Sequence, residues 1–266
     1  MKKLGIILTL IFIALTAIYI ALNPSSDEFV EGDLYEEIIH RGKIKVGINT
    51  DSKPFGFYDE NGRVSGYDAD LARYIAQYIL KNPENVEFIS VEPSNRLIKA
   101  STGEVDIVIS TVTITPSRQE VVSFSIPYDN AGQALLVKSS SEIRSIGDLG
   151  GQTVGVIFGT TAEKNMQTLA PTAKLRGFRT YRDAYEALKS GQINAITSDD
   201  TILSRFAIDD KSVTLLPKRY SQEPYGIAFK KGNSTVILKE NLDMAIKDMQ
   251  QKNIITRIKK QWKVGV

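Results

Sequence analysis

The hydrophobic and polar positions beyond residue 42 change period repeatedly along the chain. Short apolar or alternating runs such as residues 43–49 and 105–110 predict strands. Between such runs, apolar residues recur every three or four positions. Leu71, Ile75 and Ile79 would share one face of a helix over residues 68–80. Strands that alternate with helices in this way favour the α/β fold class.

The same patterns predict further elements to the end of the chain. Additional strands are expected at residues 86–91, 132–138, 153–157, 195–198, 213–216 and 226–230. Additional helices are expected at residues 94–101, 181–190, 235–251 and 254–262. Two helix starts carry capping signals: we expect Asp68 to be an N-cap, and Thr160 to form a capping box with Glu163.

The N-terminus has a different pattern. Two lysines precede residues 4–22, which carry no charge and are mostly apolar. This pattern indicates an export signal. The run is also close to the ~20 residues that span a bilayer, so residues 1–22 are either a cleaved signal peptide or an uncleaved anchor. Residues 23–42 then form a linker and lead-in, and the remainder is expected in the periplasm or on the outer face of the cytoplasmic membrane.

Composition removes several kinds of chemistry. The 266 residues include no Cys and a single His, and the formal net charge is +2. Thiol catalysis, disulfides, Cys-ligated zinc and an acylated lipoprotein cysteine are therefore excluded, and His40 lies outside every candidate site motif. The near balance of charge gives no indication of nucleic-acid binding. We expect no metal, no cofactor and no catalytic residues.

One candidate binding segment runs from Ser110 to Arg118. Thr115 and Pro116 are typical of a helix start, as N-cap and first helical residue. Arg118 then lies in the first turn, where a cation opposes the helix dipole. A ligand carboxylate would explain that placement, because the guanidinium offers a bidentate fork. The alternative is a surface arginine paired with Glu120 or Asp106.

A second set of candidates follows later strands. Asp199 and Asp200 directly follow the strand at residues 195–198, where either could accept from an ammonium group or serve as a helix cap. The helix start at Gly159 and Thr160 could bind an anion, or be an ordinary cap. Together a fixed cation and a fixed anion could hold the two ends of an amino-acid zwitterion.

Five motifs in order resemble the extracellular solute-binding proteins of polar amino-acid ABC transporters. The resemblance covers residues 43–262 and rests on GYDADLARYIA, GEVDIVISTVTITPSRQEVVSFSIPY, IGDLGGQTVGVIFGTT, LKSGQINAITSDD and PYGIAFKKG. It implies a type II periplasmic-binding fold, a Venus-flytrap in which two crossing hinge strands join two lobes. Lobe 1 would comprise residues 43–131 and 226–266, and lobe 2 residues 132–225, with the ligand between them. A membrane permease would be the partner of a monomeric binder.

The resemblance also implies roles for residues. Arg118 would bind the ligand carboxylate, with the assistance of Ser110, Thr111 and Thr113. From lobe 2, Gly159, Thr160 and Thr161 would meet the same carboxylate. Asp199 would bind the amino group, although its neighbour Asp200 is the alternative.

Specificity rests on Arg96. Ser94-Asn95-Arg96 is similar to the glutamate- and aspartate-binding group, in which that arginine meets the side-chain carboxylate. Arg118, Arg96 and Asp199 sum to +1, which complements a ligand of charge −1. Asn49, also a candidate contact, lies near the place where some acidic binders carry a further arginine. We therefore expect capture of glutamate or aspartate, with glutamine or another polar amino acid as the alternative, and less readily an enzyme on the same fold.

Overall fold

The computed structural model describes residues 32–265, so the predicted signal or anchor at residues 1–22 lies outside the described residues. Residues Asp33–Val266 form one compact unit. Its helices are α1 Leu34–Arg41, α2 Tyr67–Leu80, α3 Arg96–Thr102, α4 Pro116–Gln119, α5 Thr161–Leu169, α6 Tyr181–Ser190, α7 Asp200–Asp209, α8 Val236–Gln251 and α9 Ile254–Trp262. Short 3-10 turns occur at Ile146–Leu149 and Asn233–Thr235. No helix within residues 32–265 is long and apolar enough to cross a membrane.

The strands fall into two principal sheets and two small ones. They are β1 Ile44–Ile48, β2 Asp51–Ser52, β3 Gly56–Tyr58, β4 Val64–Ser65, β5 Val86–Ser90, β6 Ile107–Val108, β7 Val122–Phe124, β8 Asp129–Ala131, β9 Gln133–Lys138, β10 Thr153–Ile157, β11 Lys174–Phe178, β12 Ala195–Asp199, β13 Val213–Leu215, β14 Glu223–Tyr225 and β15 Ala228–Lys230. Helices separate most of the strands, which confirms the α/β prediction.

Two five-stranded sheets define the two lobes. Lobe 1 contains the sheet β5-β1-β6-β15-β7, and lobe 2 contains β11-β10-β12-β9-β13. Both combine parallel and antiparallel pairs: β1 is parallel to β5 and β6, and β10 is parallel to β11 and β12. Strands β15 and β9 run antiparallel to their neighbours.

The connection between the lobes is a separate two-stranded ladder. Strand β8 precedes the first strand of the second sheet, and β14 follows its last strand. The two pair antiparallel, with Glu223 opposite Ala131 and Tyr225 opposite Asp129. We call this ladder the hinge. The exact lobe boundaries stay a prediction.

Apolar periodicity places the helices on the sheets as predicted. Leu71, Ile75 and Ile79 are buried on one face of α2, within a cluster that also contains Ile44 and Ile107 of the first sheet. Burial of each such side chain contributes about 1.5–3 kcal/mol. Packing of this kind fixes the strand ends, and therefore the residues that follow them.

The prediction that Asp68 caps α2 is wrong. Gly66 is the N-cap, at φ 125°, and Asp68 is the second helical residue. The N–H groups of Tyr67 and Asp68 donate to the carbonyls of Pro54 and Phe55, both at 2.9 Å. A Cβ on Gly66 would lie 2.2 Å from the Phe55 carbonyl oxygen, so a tertiary contact requires glycine there. The Asp68 side chain is left to point into the protein.

Candidate functional site

Arg118 is held at the interface of the two lobes. As predicted, Thr115 caps α4 by accepting from the Arg118 N–H, and Pro116 is the first helical residue. The guanidinium is 8% exposed; Nη1 donates to the Thr113 carbonyl at 2.8 Å and Nη2 to the Gly159 carbonyl at 3.0 Å. The second bond crosses from lobe 1 to lobe 2. The surface ion pair considered from the sequence does not form, since Asp106 pairs with Arg41.

The environment of Arg118 disfavours its own charge. Burial is the main cause and the nearby Arg96 guanidinium the second, and together they lower the pKa of Arg118 to about 10. The group remains a cation at neutral pH. Its bonds go to carbonyl oxygens, and no ion pair joins it to another residue of the described chain. A buried cation of this kind favours an anionic partner.

Asp199 is the opposing charge from lobe 2. It is the last residue of β12 and is 6% exposed, and its Oδ2 accepts from the Tyr225 hydroxyl. Burial raises the pKa of this carboxyl from 3.8 to about 7, against the lowering effect of the Tyr225 hydrogen bond. Within residues 32–265, Asp199 has no cation at ion-pair distance. It is therefore available to a ligand ammonium group.

Asp200, the alternative to Asp199, already has partners. Its Oδ1 accepts from the Gly132 N–H at 2.8 Å. Its Oδ2 accepts from Arg219, with Nε at 2.7 Å and Nη2 also bonded. These contacts give Asp200 a structural role between α7 and the segment after the hinge. Asp199 is consequently the better candidate for ligand binding.

Arg96 is buried deeper than the sequence suggested. The side chain is 3% exposed, and Nη1 donates to the carbonyl of Ser110, with Thr111 O at 3.5 Å. Burial lowers the pKa of Arg96, while the nearby Asp199 counteracts that effect. The guanidinium thus holds the segment that follows β6, on the lobe 1 side of the pair Arg118 and Asp199, which we call the clamp.

The segment from Ser110 to Thr113 lies against both arginines. Ser110 and Thr113 are 1% and 3% exposed, and Thr111 has φ 47°, a left-handed conformation that is uncommon for a β-branched residue. Such strain clusters at ligand-binding segments. The Ser110 hydroxyl has no hydrogen-bond partner in the described part of the chain. The structure brings these residues to Arg96 and Arg118.

The start of α5 approaches the same place from lobe 2. Gly159 has φ 78°, and a Cβ there would lie 2.5 Å from the Pro93 carbonyl oxygen in lobe 1. The predicted capping box is wrong: Thr160 is the N-cap without a side-chain cap bond, because its hydroxyl donates to the Ile157 carbonyl at 2.7 Å. Thr161 is the first helical residue. The first N–H groups of any helix lack an intrahelical acceptor, and here the Thr160 side chain does not cap them. They are therefore suited to bind an anion.

Asn49 is a predicted site residue that is not hydrogen-bonded to the charged residues of the candidate site. It follows β1, and its Oδ1 accepts from the Asp51 N–H at 2.9 Å, which stabilises a local turn. The half-buried side chain makes no hydrogen bond to Arg118, Asp199 or Arg96. Its role as a ligand contact stays a prediction.

The sequence analysis did not assign several buried polar residues around the clamp. Asp68 is 1% exposed, and burial, reinforced by Asp129, raises its pKa to about 7. Glu223 is buried on β14 and accepts from Ser221 Oγ at 2.6 Å. Tyr225, also on β14, bonds Asp199. These residues lie in the motifs GYDADL and SQEPYG, but neither motif indicates which side chains turn inward.

A groove of about 770 Å³ lies beside the clamp, between the lobes. Ser52 and Tyr58 line it from lobe 1, and Tyr185 and Phe206 from lobe 2. Its lining also includes Tyr181, which bonds Ser198 at 3.1 Å and is an electrostatic neighbour of the clamp charges. The groove contains neither charge of the clamp itself, so it adjoins the candidate site.

The family model of the bacterial extracellular solute-binding proteins, family 3, matches residues 44–265. The chain belongs to this family. Its two-lobe α/β architecture is the type II periplasmic-binding fold that the resemblance implied.

Three similar proteins illustrate the range of the match. The ABC transporter glutamine-binding protein GlnH of Bacillus subtilis (strain 168) is 36% identical over 242 residues, which are 90% of this chain and 88% of that protein. The glutamine-binding protein of Geobacillus stearothermophilus is 40% identical over 194 residues, 72% and 74% of the two chains. The structure of an ancestral arginine-binding protein bound to glutamine matches with TM-score 0.77 and 36% identity, covering 84% of this chain and 98% of that one. All three carry the names of binding proteins.

Proposed function

We propose that this protein captures a polar amino acid between its lobes, with glutamine as the preferred ligand, and delivers it to the membrane permease of an ABC transporter. The observation that carries this proposal is the pair Arg118 and Asp199. Each is a buried charge without an ion-pair partner in the described chain, and they come from opposite lobes. An amino-acid zwitterion supplies both missing charges.

The carboxylate end of the ligand is assigned to lobe 1 and to α5. Arg118 provides the guanidinium, and the first N–H groups of α5, at Thr161 and beyond, provide a second donor set. Both donor sets meet where Arg118 bonds the Gly159 carbonyl. A carboxylate in this place would bridge the lobes and favour their contact.

Two lines of support favour glutamine over the acidic amino acids that the sequence alone predicted. First, the two relatives named above, 36% and 40% identical to this chain, are glutamine-binding proteins. Second, the charge count changes once the buried neighbours are included. Asp68 lies near Arg96, and Glu223 near Arg118 and Asp199. When both are ionised, these carboxyl groups take the sum from +1 to −1, so the cleft no longer favours a ligand of net charge −1.

Calorimetric titration of the chain from Asp33 onward with glutamine, glutamate, aspartate, arginine and histidine tests the proposal. We expect glutamine to bind at least about tenfold more tightly than glutamate, a difference of about 1.4 kcal/mol. Tighter binding of glutamate or aspartate than of glutamine would instead support the acidic specificity predicted from the sequence. Absence of binding for every amino acid would refute the proposed function as a whole.

A further inference from the structure

Tyr225 occupies a central position in the hinge. It ends β14, is fully buried, and pairs with Asp129 of β8. Its carbonyl accepts from the Tyr128 N–H at 2.9 Å. The same residue forms an isolated antiparallel bridge with Thr113 in lobe 1. The main chain of Tyr225 therefore contacts both the hinge and the segment that carries lobe 1 site residues.

The side chain of Tyr225 reaches into lobe 2. Its hydroxyl donates to Asp199 Oδ2 and lies 3.2 Å from Thr201 Oγ1, in the first turn of α7. Burial raises the pKa of Tyr225 well above 10.0, so the hydroxyl keeps its proton at neutral pH. The donor to Asp199 is thus a neutral hydroxyl carried by a hinge strand.

Both charges of the clamp are tied to this one residue. Thr113, which bridges to Tyr225, accepts from Arg118 Nη1 at 2.8 Å. Asp199 accepts from the Tyr225 hydroxyl. We propose that Tyr225 is a positioning residue that sets the distance between the arginine and the aspartate of the clamp, and that it keeps Asp199 ready to accept an ammonium group. This inference rests on the proposed function for its ligand.

The charge state of Asp199 depends on the groups that face it. Those groups are Arg96 and Arg118 from lobe 1, Glu223 and Tyr225 from the hinge strand, Tyr181 from α6, and Asp200 beside it. The Tyr225 hydroxyl bonds the ionised form and lowers the pKa, whereas burial, the largest effect, raises it to about 7. Loss of the hydroxyl would therefore raise the pKa further. At a given pH, fewer molecules would then carry the anion that the ligand ammonium requires.

The test is Tyr225→Phe, which keeps the ring and removes only the hydroxyl. Tyr128→Phe is a matched control, because Tyr128 is another buried tyrosine beside the hinge, with its ring centroid 6.2 Å from that of Tyr225. Its hydroxyl lies near Asp68 and Thr111 and makes no hydrogen bond with Asp199. Glutamine affinity is measured by calorimetry from about pH 6 to about pH 9, a range that brackets the Asp199 titration.

For Tyr225→Phe we expect a loss of affinity of about tenfold or more near neutral pH. We also expect the pH below which binding weakens to move upward by a measurable amount. Tyr128→Phe should retain affinity within about threefold and keep the wild-type pH profile. A merely structural effect of the hydroxyl would lower affinity equally at every pH.

Two results would overturn the positioning role: an unchanged pH profile for Tyr225→Phe, or equal shifts in both variants. The titration of the Asp199 carboxyl, followed by carbon NMR in the ligand-free protein, separates this inference from the proposed function. If the wild type binds no amino acid, the function fails. An upward shift of the Asp199 titration in Tyr225→Phe would still support the hydrogen-bond role, and an unshifted titration would refute it.

Discussion

The adjacent residues Asp199 and Asp200 permit a test in which two equivalent substitutions give opposite results. Both carboxyls are buried, yet within the described chain Asp199 accepts from the Tyr225 hydroxyl alone, whereas Asp200 binds Arg219 and the Gly132 N–H. Asp199→Asn should therefore abolish tight ligand binding and leave the fold intact. Asp200→Asn should weaken the fold and leave binding largely unchanged.

The magnitudes follow from the contacts. Removal of one partner of a buried charge pair at a binding site costs about 2–5 kcal/mol, so Asp199→Asn should weaken glutamine binding by about 30- to 5,000-fold. A hydrogen bond to a charged group contributes about 1.5–3 kcal/mol. The Arg219 side chain is 58% exposed, so screening reduces its contribution, and we expect Asp200→Asn to cost about 1–2 kcal/mol of folding stability. For a chain of this size that is a decrease in Tm of about 2–8 °C.

Calorimetric titration gives the affinity, and differential scanning calorimetry of the ligand-free protein gives Tm. The two variants serve as controls for each other, since they make the same chemical change one residue apart. If Asp200→Asn reduces glutamine affinity more than Asp199→Asn does, the assignment of the ammonium ligand is off by one residue. If Asp199→Asn binds within about threefold of wild type, the clamp argument itself is refuted.

Three further predictions concern closure and pH. Gly159→Ala should weaken ligand binding by about tenfold or more, because its Cβ would lie 2.5 Å from the Pro93 carbonyl oxygen across the cleft; unchanged affinity in a calorimetric titration would contradict this. Arg179→Ala removes an exposed cross-lobe ion pair with Glu92 at 2.7 Å and should change affinity by less than about fivefold, since such pairs contribute at most about 1 kcal/mol. Asp68 and Asp199 have pKa values raised from 3.8 to about 7, so the stability they contribute is complete below the unfolded pKa and is lost as pH rises through about 7. In the ligand-free protein, the Tm of Asp199→Asn relative to wild type should therefore rise between about pH 5 and about pH 8, and a constant difference would show that Asp199 is ionised throughout.

Local sequence signals were sufficient to predict those features whose geometry depends on a single helix or strand. The Thr115 cap, Pro116 as first helical residue and the buried face of α2 all follow from spacing alone, and the structure contains each of them. The family resemblance, and not residue spacing, implied that Arg118 and Gly159 meet in one cleft. Their contact at 3.0 Å joins residues 41 positions apart.

Contacts between distant segments determine the features that the sequence did not predict, such as the N-cap of α2 and the separate roles of Asp199 and Asp200. Gly66 replaces Asp68 as the N-cap because the carbonyls of Pro54 and Phe55 approach the start of α2 from a different segment. Asp199 and Asp200 are indistinguishable in a motif, and distant partners separate their roles, among them Arg219, 19 residues after Asp200. No local pattern records such a partner.

The same contacts suggest why a ligand would favour closure of the lobes. With the lobes in contact, Arg118 and Asp199 are both nearly buried, and the environment of each opposes its charge, as their shifted pKa values show. Desolvation of unpaired charges is costly, and the contact between the lobes contributes to that cost by burying both groups. A zwitterion placed between the two groups supplies an opposite charge to each, so it stabilises the closed arrangement far more than the open one. A ligand shifts a conformational equilibrium only by such a difference in affinity, and here the difference originates in the burial of the two charges.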